Sequence, residues 1–181
     1  LQLEDDNASP VCPHYFHADL RVSIGRTLTV DLFVDNPDHI AFSFQEALHT
    51  YFRVSNIELV SVSGLENREY FDKVTGSHAR QGAEPIRFAG ETDRVYAGTQ
   101  APCVIHDPGM KRRITIAKRG SNSTVVWNPW VQKARAMADF GDDEWPGMLC
   151  IETANVGDAA VTLRPEDRHT MTAEIAVEAA E

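Results

Sequence analysis

The sequence predicts an all-β protein, either a sandwich or a barrel of short strands. Apolar and polar residues alternate with a period of two in several runs, which is typical of strands with one face in water. Turns rich in Gly, Pro, Asn and Asp separate these runs. Only residues 131–138 favour a helix, and that segment is short.

The first two alternating runs predict a β-hairpin. Apolar residues alternate over residues 20–24 and again over 28–34, with a break at Gly25-Arg26. Two such runs across a short glycine-containing break are typical of a hairpin. Residues 3–10, which precede the hairpin, are polar and turn-like.

The rest of the chain predicts further strands separated by turns. Residues 75–85 are polar, contain glycine and lack periodicity, so they predict a loop. The turn Asp107-Pro108-Gly109 joins two of the runs into a second hairpin. The predicted strands lie at residues 40–52, 57–63, 69–73, 86–88, 103–105, 113–117, 123–127, 148–155, 161–163 and 171–177.

Composition limits the possible partners and location. The chain has 181 residues and a net charge of −10, which argues against nucleic acid because phosphates would be repelled. No apolar run approaches the ~20 residues that span a bilayer, so no membrane is expected. No basic-then-apolar leader is present either, and the sequence therefore predicts a cytoplasmic protein.

The cysteines predict reduced thiols rather than a metal site. Cys12, Cys103 and Cys150 are odd in number, far apart and without zinc-ligand spacing. Cys150 falls in a strand pattern and is expected to be a small core residue.

Two residues in apolar strands are candidates for chemistry. His49 lies among large side chains and is either a packed ring with a satisfied hydrogen bond or a proton-transfer group. Glu152 ends an otherwise apolar run, and a buried carboxylate needs a partner or a task because desolvating its charge is costly. A histidine and a glutamate that face each other in a pocket would form an acid–base pair.

Six motifs follow one another in an order that resembles a known family. They are Leu48-His49-Thr50-Tyr51-Phe52, Val62-Ser63-Gly64-Leu65-Glu66-Asn67 with Asp72-Lys73, Glu91-Thr92-Asp93-Arg94-Val95-Tyr96, Val126-Trp127-Asn128-Pro129-Trp130, Asp139-Phe140-Gly141-Asp142-Asp143 and Cys150-Ile151-Glu152-Thr153-Ala154-Asn155. The series, spread over residues 42–177, resembles the hexose-6-phosphate mutarotases, or glucose-6-phosphate 1-epimerases. These belong to the galactose-mutarotase-like group of aldose epimerases.

The resemblance implies a β-supersandwich of two large, mostly antiparallel sheets. It also implies interconversion of the α and β anomers of a hexose 6-phosphate. The family's catalytic histidine falls on His49, its catalytic glutamate on Glu152 and its sugar-contacting aspartate on Asp93. Without the resemblance, a turn aspartate paired with Arg94 is an equal interpretation of Asp93.

The resemblance is incomplete at the amino terminus. Family members carry a further stretch of roughly a third of the chain, which holds strands, a second active-site histidine and phosphate-binding arginines. None of those motifs is found here, and neither His14 nor His17 matches that histidine. The chain is expected to be a single domain, residues 1–181, equivalent to the carboxy-terminal two-thirds of the family's sandwich.

Mutarotation needs an acid–base pair but no metal and no cofactor. One group removes the proton from the O1 hydroxyl while another protonates the ring oxygen O5, and the roles then reverse. Each well-placed group typically contributes about 10²–10⁴ in rate. Glu152 is assigned as the base on O1 and His49 as the acid at O5, since glutamate is ionised and histidine can carry a proton near neutrality.

Two other functions stay open at this point. The chain could be a carbohydrate-binding domain without catalysis, or an inactive fragment with exposed sheet edges and an oligomeric state that the sequence does not reveal. Trp127, Trp130 and Trp145 could form a stacking wall for a sugar, although packing is the favoured interpretation for each.

Two charged clusters carry no predicted function. The cluster of Asp139, Asp142, Asp143 and Glu144 lacks the ordered spacing of a calcium loop and predicts a solvated acidic loop. The basic cluster Lys111-Arg112-Arg113 predicts a solvated turn face.

Overall fold

The computed structural model of the protein describes residues 1–6 and 13–180. Its strands are β1 (Gln2–Asp6), β2 (Tyr15–Ile24), β3 (Leu28–Asp35), β4 (Phe42–Phe44), β5 (Glu46–Leu48), β6 (Tyr51–Arg53), β7 (Ser61–Ser63), β8 (Glu69–Asp72), β9 (Ser77–Arg80), β10 (Thr92–Ala97), β11 (Cys103–Asp107), β12 (Arg112–Arg119), β13 (Ser123–Asn128), β14 (Met148–Asn155), β15 (Val161–Leu163) and β16 (Arg168–Ala179). The helix α1 (Trp130–Ala136) and two 3-10 turns, Trp145–Gly147 and Gly157–Ala159, interrupt them.

The strands form two seven-stranded antiparallel sheets. The first has the order β1-β2-β3-β16-β12-β11-β7. The second has the order β5-β14-β13-β10-β8-β9, and β6 also pairs with β14. A small sheet of β4 and β15 lies beside them. The mostly antiparallel sandwich expected from the sequence is therefore confirmed.

The main hydrophobic core lies between the two large sheets. Ile105 and Ile114 reach it from the first sheet, and Val126 and Ile151 reach it from the second. These four side chains are at most 3% exposed. Because side chains alternate along a strand, the residues next to each of these four in sequence face away from the core.

The outward face of the second sheet is partly covered by a second apolar cluster. Its members alternate in sequence with core residues, and they pack against Met137 and Phe140, which follow α1. The buried members are Val125, Trp127, Met148, Cys150 and Ala154. Glu152 follows Cys150 by two positions, so it lies on this same outward face.

Both predicted hairpins are confirmed, and so is the short helix, which begins at Trp130. β2 pairs with β3 over residues 17–35, and β11 pairs with β12 across the turn at residues 108–111. The predicted strands at 123–127, 148–155 and 171–177 are also present.

Several predicted boundaries were wrong. Residues 77–80, predicted as loop, form β9, whose residues are all exposed, so no apolar alternation marks this edge strand. Residues 3–10 were predicted as turn-like, but residues 3–6 belong to β1 and pair with β2, while residues 7–10 lie outside the described part of the chain. Residues 40–52 form three short strands rather than one. Residues 57–60 lie before β7 and not within it, and residues 86–88 contribute a single β-bridge, at Ile86.

Other sequence predictions concern location and thiols. No helix within the described residues is long and apolar enough to cross a bilayer. Cys103 and Cys150 are buried free thiols, and Cys12 lies outside the described residues.

Candidate active site

Glu152 is a carboxylate in a buried strand. All eight residues of β14 are buried, and the Glu152 side chain is 8% exposed. Desolvation by burial raises the pKa of Glu152 above its ordinary value, while His49 and Lys73 oppose the rise and Asp93 adds to it. A carboxylate with a raised pKa is a stronger base than a solvated one, provided that it is ionised.

His49 lies at a break in the strand that pairs with β14. Strands β5 and β6 follow one continuous register on β14, interrupted only at His49 and Thr50. The Thr50 amide donates a hydrogen bond of 2.9 Å to the Leu48 carbonyl. Extending the register through the break puts His49 directly opposite Glu152. Directly opposed residues of paired strands have their side chains on the same face of the sheet, so these two side chains can meet.

The His49 ring is packed on several sides but still reaches water. Its Nε2 lies 3.3 Å from Glu152 Oε1. The ring stacks on Tyr51 at 4.8 Å between centroids, meets the edge of Trp127 at 5.6 Å and places Nδ1 3.6 Å from the Cys150 sulfur. The side chain is nevertheless 47% exposed. His49 is thus both packed and accessible, as a proton-transfer group must be.

Asp93 lies on the same outward face, on β10, two strands from β14. Lys73 Nζ is 3.7 Å from Asp93 Oδ1. Burial raises the pKa of Asp93, and Lys73 opposes this effect. Arg94 instead lies over the Tyr70 ring at 4.8 Å, so Asp93 is not paired with Arg94.

Two residues of this arrangement were not singled out from the sequence. Tyr51 is 53% exposed and supports the His49 ring, and its position two residues after His49 on a strand could have indicated a shared face. Lys73 is the cation that acts on both Asp93 and Glu152. Its only sequence signal is the Asp72-Lys73 motif.

A cleft opens beside Lys73 on this outward face. It has a volume of about 410 Å³, and Phe71 and Val95 form part of its wall. Val156 and Asp158 line it as well. Neither His49 nor Glu152 lines this cleft, and Lys73 is the residue that it shares with the site.

The tryptophans serve mainly in packing. Trp127 is 7% exposed and lies against His49 and Phe140. The rings of Trp130 and Trp145 are 4.4 Å apart and pack against the core between the sheets. The packing interpretation is therefore supported, and Tyr51 is the exposed aromatic ring beside the pair.

The acidic loop matches its prediction of a solvated segment. Asp139, Asp142, Asp143 and Glu144 are exposed. Within residues 1–6 and 13–180, no group of three or more His, Cys, Asp or Glu side chains could hold a metal ion.

The basic cluster is only partly the solvated turn face expected. Lys111 and Arg113 are exposed. Arg112 instead donates to the Arg53 carbonyl and lies 3.8 Å from Asp107, whose side chain is fully buried. Arg112 thereby links β12 of the first sheet to β6, the strand that follows His49.

The fold and the site define a class of protein, a two-sheet antiparallel β-sandwich with an imidazole–carboxylate pair on one open face. The family model described as aldose 1-epimerase matches residues 1–176. The chain belongs to this family, and the resemblance to the galactose-mutarotase-like group is confirmed.

Curated relatives agree with this assignment. The chain is 40% identical over 161 residues to a candidate glucose-6-phosphate 1-epimerase of Cenchrus ciliaris, covering 86% of this chain and 48% of the relative. It is 34% identical over 158 residues to a protein of the same description from Escherichia coli K12, covering 87% of this chain and 52% of the relative. The chain thus spans about half the length of these relatives.

A solved structure extends the agreement to the backbone. The crystal structure of a candidate mutarotase from Salmonella typhimurium superposes with a TM-score of 0.88 at 30% identity. The superposition covers 98% of this chain and 59% of that protein.

Proposed function

We propose that this chain, as one domain, carries the acid–base pair of a mutarotase that interconverts the α and β anomers of a hexose 6-phosphate. The names of the relatives supply the substrate class. The observation that carries the reaction type is the 3.3 Å contact between His49 Nε2 and Glu152 Oε1 on an open sheet face.

The geometry suits the two proton transfers that ring opening requires. O1 and O5 are bonded to the same carbon, so two groups in mutual contact can reach both oxygens. Glu152, whose pKa is raised by burial, takes the proton from O1. His49, which is half exposed, delivers a proton to O5 as the C1–O5 bond breaks. The free aldehyde rotates, and the reverse transfers close the ring on the other face.

Two neighbours are assigned supporting roles in this proposal. Asp93 accepts hydrogen bonds from sugar hydroxyls, and Lys73 keeps its carboxylate charged. Tyr51 offers an exposed ring on which the apolar face of a sugar can stack.

The test is anomer exchange of glucose 6-phosphate, followed by NMR with the rate in buffer subtracted. His49→Gln and Glu152→Gln should each slow the exchange by about 10²-fold or more. His39→Gln, a change at an exposed turn histidine, should leave the rate unchanged.

Three results would contradict parts of the proposal. Absence of any rate above buffer in the parent chain would remove the catalytic function, and saturable sugar binding in that case would favour the carbohydrate-binding alternative. Full activity in both glutamine variants would contradict the assignment of His49 and Glu152 as the catalytic residues. Faster exchange of glucose than of glucose 6-phosphate would contradict the proposal that the substrate is phosphorylated.

A further inference from the structure

A buried polar group lies on the inner face of the second sheet, three ladder positions from the His49–Glu152 pair. Glu46, the first residue of β5, is paired with Asn155, the last residue of β14. Asn155 Nδ2 donates a hydrogen bond of 2.7 Å to Glu46 Oε1. His169 Nε2, from the first sheet, lies 2.9 Å from the same oxygen. The Glu46 side chain is 4% exposed.

The buried pair and the acid–base pair belong to one ladder. Glu46 faces Asn155, and His49 faces Glu152 three steps further along the same register. An odd number of steps along a strand changes the face, so the Glu46–Asn155 pair faces inward while the His49–Glu152 pair faces outward. Any slip of β5 against β14 would therefore displace both pairs together.

We infer that Glu46 is a positioning residue for His49, acting through its bond to Asn155, an inference that rests on the proposed function. Its role is to lock β5 in the register that sets the His49 imidazole against the Glu152 carboxylate.

The backbone around His49 explains why a side-chain lock is needed. β5 has only three residues in the ladder, and the ladder is interrupted at His49 and Thr50. Few backbone bonds therefore hold β5 close to the site. The Glu46–Asn155 bond, buried in a low-dielectric environment, supplies a strong and directional one.

Asn155 is itself fixed by its surroundings. Its Nδ2 also lies 2.8 Å from the Gly120 carbonyl, and its Oδ1 accepts a bond of 2.8 Å from the Asn122 amide. The amide of Asn155 thus ties the turn between β12 and β13 to β14, and Glu46 is attached to an anchor that cannot easily rotate.

A purely structural role for Glu46 is the competing explanation. It would lower stability without changing the geometry of His49. The distinction requires a signal from the His49 ring itself, together with separate values of kcat and KM.

The experiment uses the 181-residue chain with ¹⁵N-labelled histidine. The ring resonances of His49 are assigned with His49→Gln, and Glu152→Gln defines their position when the pair is broken. Glu46→Ala and Asn155→Ala should each move these resonances toward the Glu152→Gln position. Each should also lower kcat for glucose 6-phosphate exchange about tenfold or more, with KM changed by about twofold at most.

Three further variants isolate the bond. Glu46→Gln keeps an acceptor oxygen, so it should leave the His49 ring resonances at their parent positions and kcat within about threefold of the parent value. Combining Glu46→Ala with Asn155→Ala should shift the His49 resonances and lower kcat by less than the sum of the two single effects, because both changes remove the bond that these residues share. The matched control is Gln45→Ala, which removes an exposed bond of 2.9 Å to the Gly157 amide and should change neither signal.

Unchanged His49 resonances in a folded Glu46→Ala or Asn155→Ala chain would overturn the inference. If Glu46→Ala does not fold, Asn155→Ala decides, because it removes the bond but leaves Glu46 in contact with His169. A parent chain without activity would contradict the proposed function only, since the ring resonances report the positioning without turnover.

Discussion

The Lys73 ammonium nitrogen lies 3.7 Å from Asp93 Oδ1, and the same cation acts on Glu152. Burial raises the pKa of both carboxyls, and Lys73 offsets part of the rise in each. Lys73 therefore favours the charged form of the proposed base and of the proposed sugar-binding aspartate. Its own side chain is 51% exposed, so it does this without being buried.

Lys73→Met should raise the pKa of both Asp93 and Glu152, because a nearby cation stabilises a carboxylate. Carboxyl ¹³C titration measures both values directly. The acidic limb of the exchange rate against pH should also move to higher pH, since the base must be ionised. Lys73→Arg should preserve the parent values, and Lys111→Met, at an exposed turn, should be neutral. An unchanged titration of Asp93 in Lys73→Met would refute the assignment.

Glu152→Gln should stabilise the fold near neutral pH. The pKa of Glu152 is higher in the folded chain than its ordinary value of 4.5. The free energy of unfolding therefore falls as the pH rises from that ordinary value through the pKa of the folded chain. The gain from the neutral glutamine should therefore disappear when the pH falls below the ordinary value. Urea unfolding at neutral and at acidic pH measures the difference.

Glu144→Gln is the control for that comparison, because Glu144 is exposed. It should change the free energy of unfolding by less than about 0.5 kcal/mol at either pH. A gain in Glu152→Gln that is equal at both pH values would mean that ionisation is not its cause.

Gly120→Ala should destabilise the chain more than Gly157→Ala. Both glycines have positive φ, +65° and +60°, so alanine is strained at either position by about 1–2 kcal/mol. Only at Gly120 would the new Cβ also meet an atom, the Thr170 carbonyl oxygen at 1.9 Å. This clash should add about 1–3 kcal/mol. Urea unfolding of the two variants isolates the clash, and equal losses would show that the backbone at Gly120 can move aside.

The contact between His49 and Glu152 could be predicted because both residues carry a local signal. Glu152 is a carboxylate in an apolar strand, so its expected burial indicates that it needs a partner, and His49 is a lone imidazole among large side chains in another strand. The motif series then assigned them to one site, and the structure brings them into contact. The hairpin was equally visible over residues 20–34, because its alternation is local.

The remaining contacts depend on sheet order, which no local pattern encodes. Lys73 reaches Asp93 because β8 pairs with β10. His169 reaches Glu46 because the two sheets meet there, over a sequence separation that periodicity does not measure. β9 escaped prediction for a different reason, since an exposed edge strand is held by backbone bonds and needs no apolar face.

The continuous register of β5 and β6 on β14 fixes the length of the segment between them. Glu46 and Arg53 are both anchored to the same strand, so the loss of one residue between these ends would turn the following side chains over. Phe52, which is buried, would then face solvent, and its exposed neighbours Tyr51 and Arg53 would face the core. Homologues and engineered variants should therefore vary this segment by substitution and never by insertion or deletion.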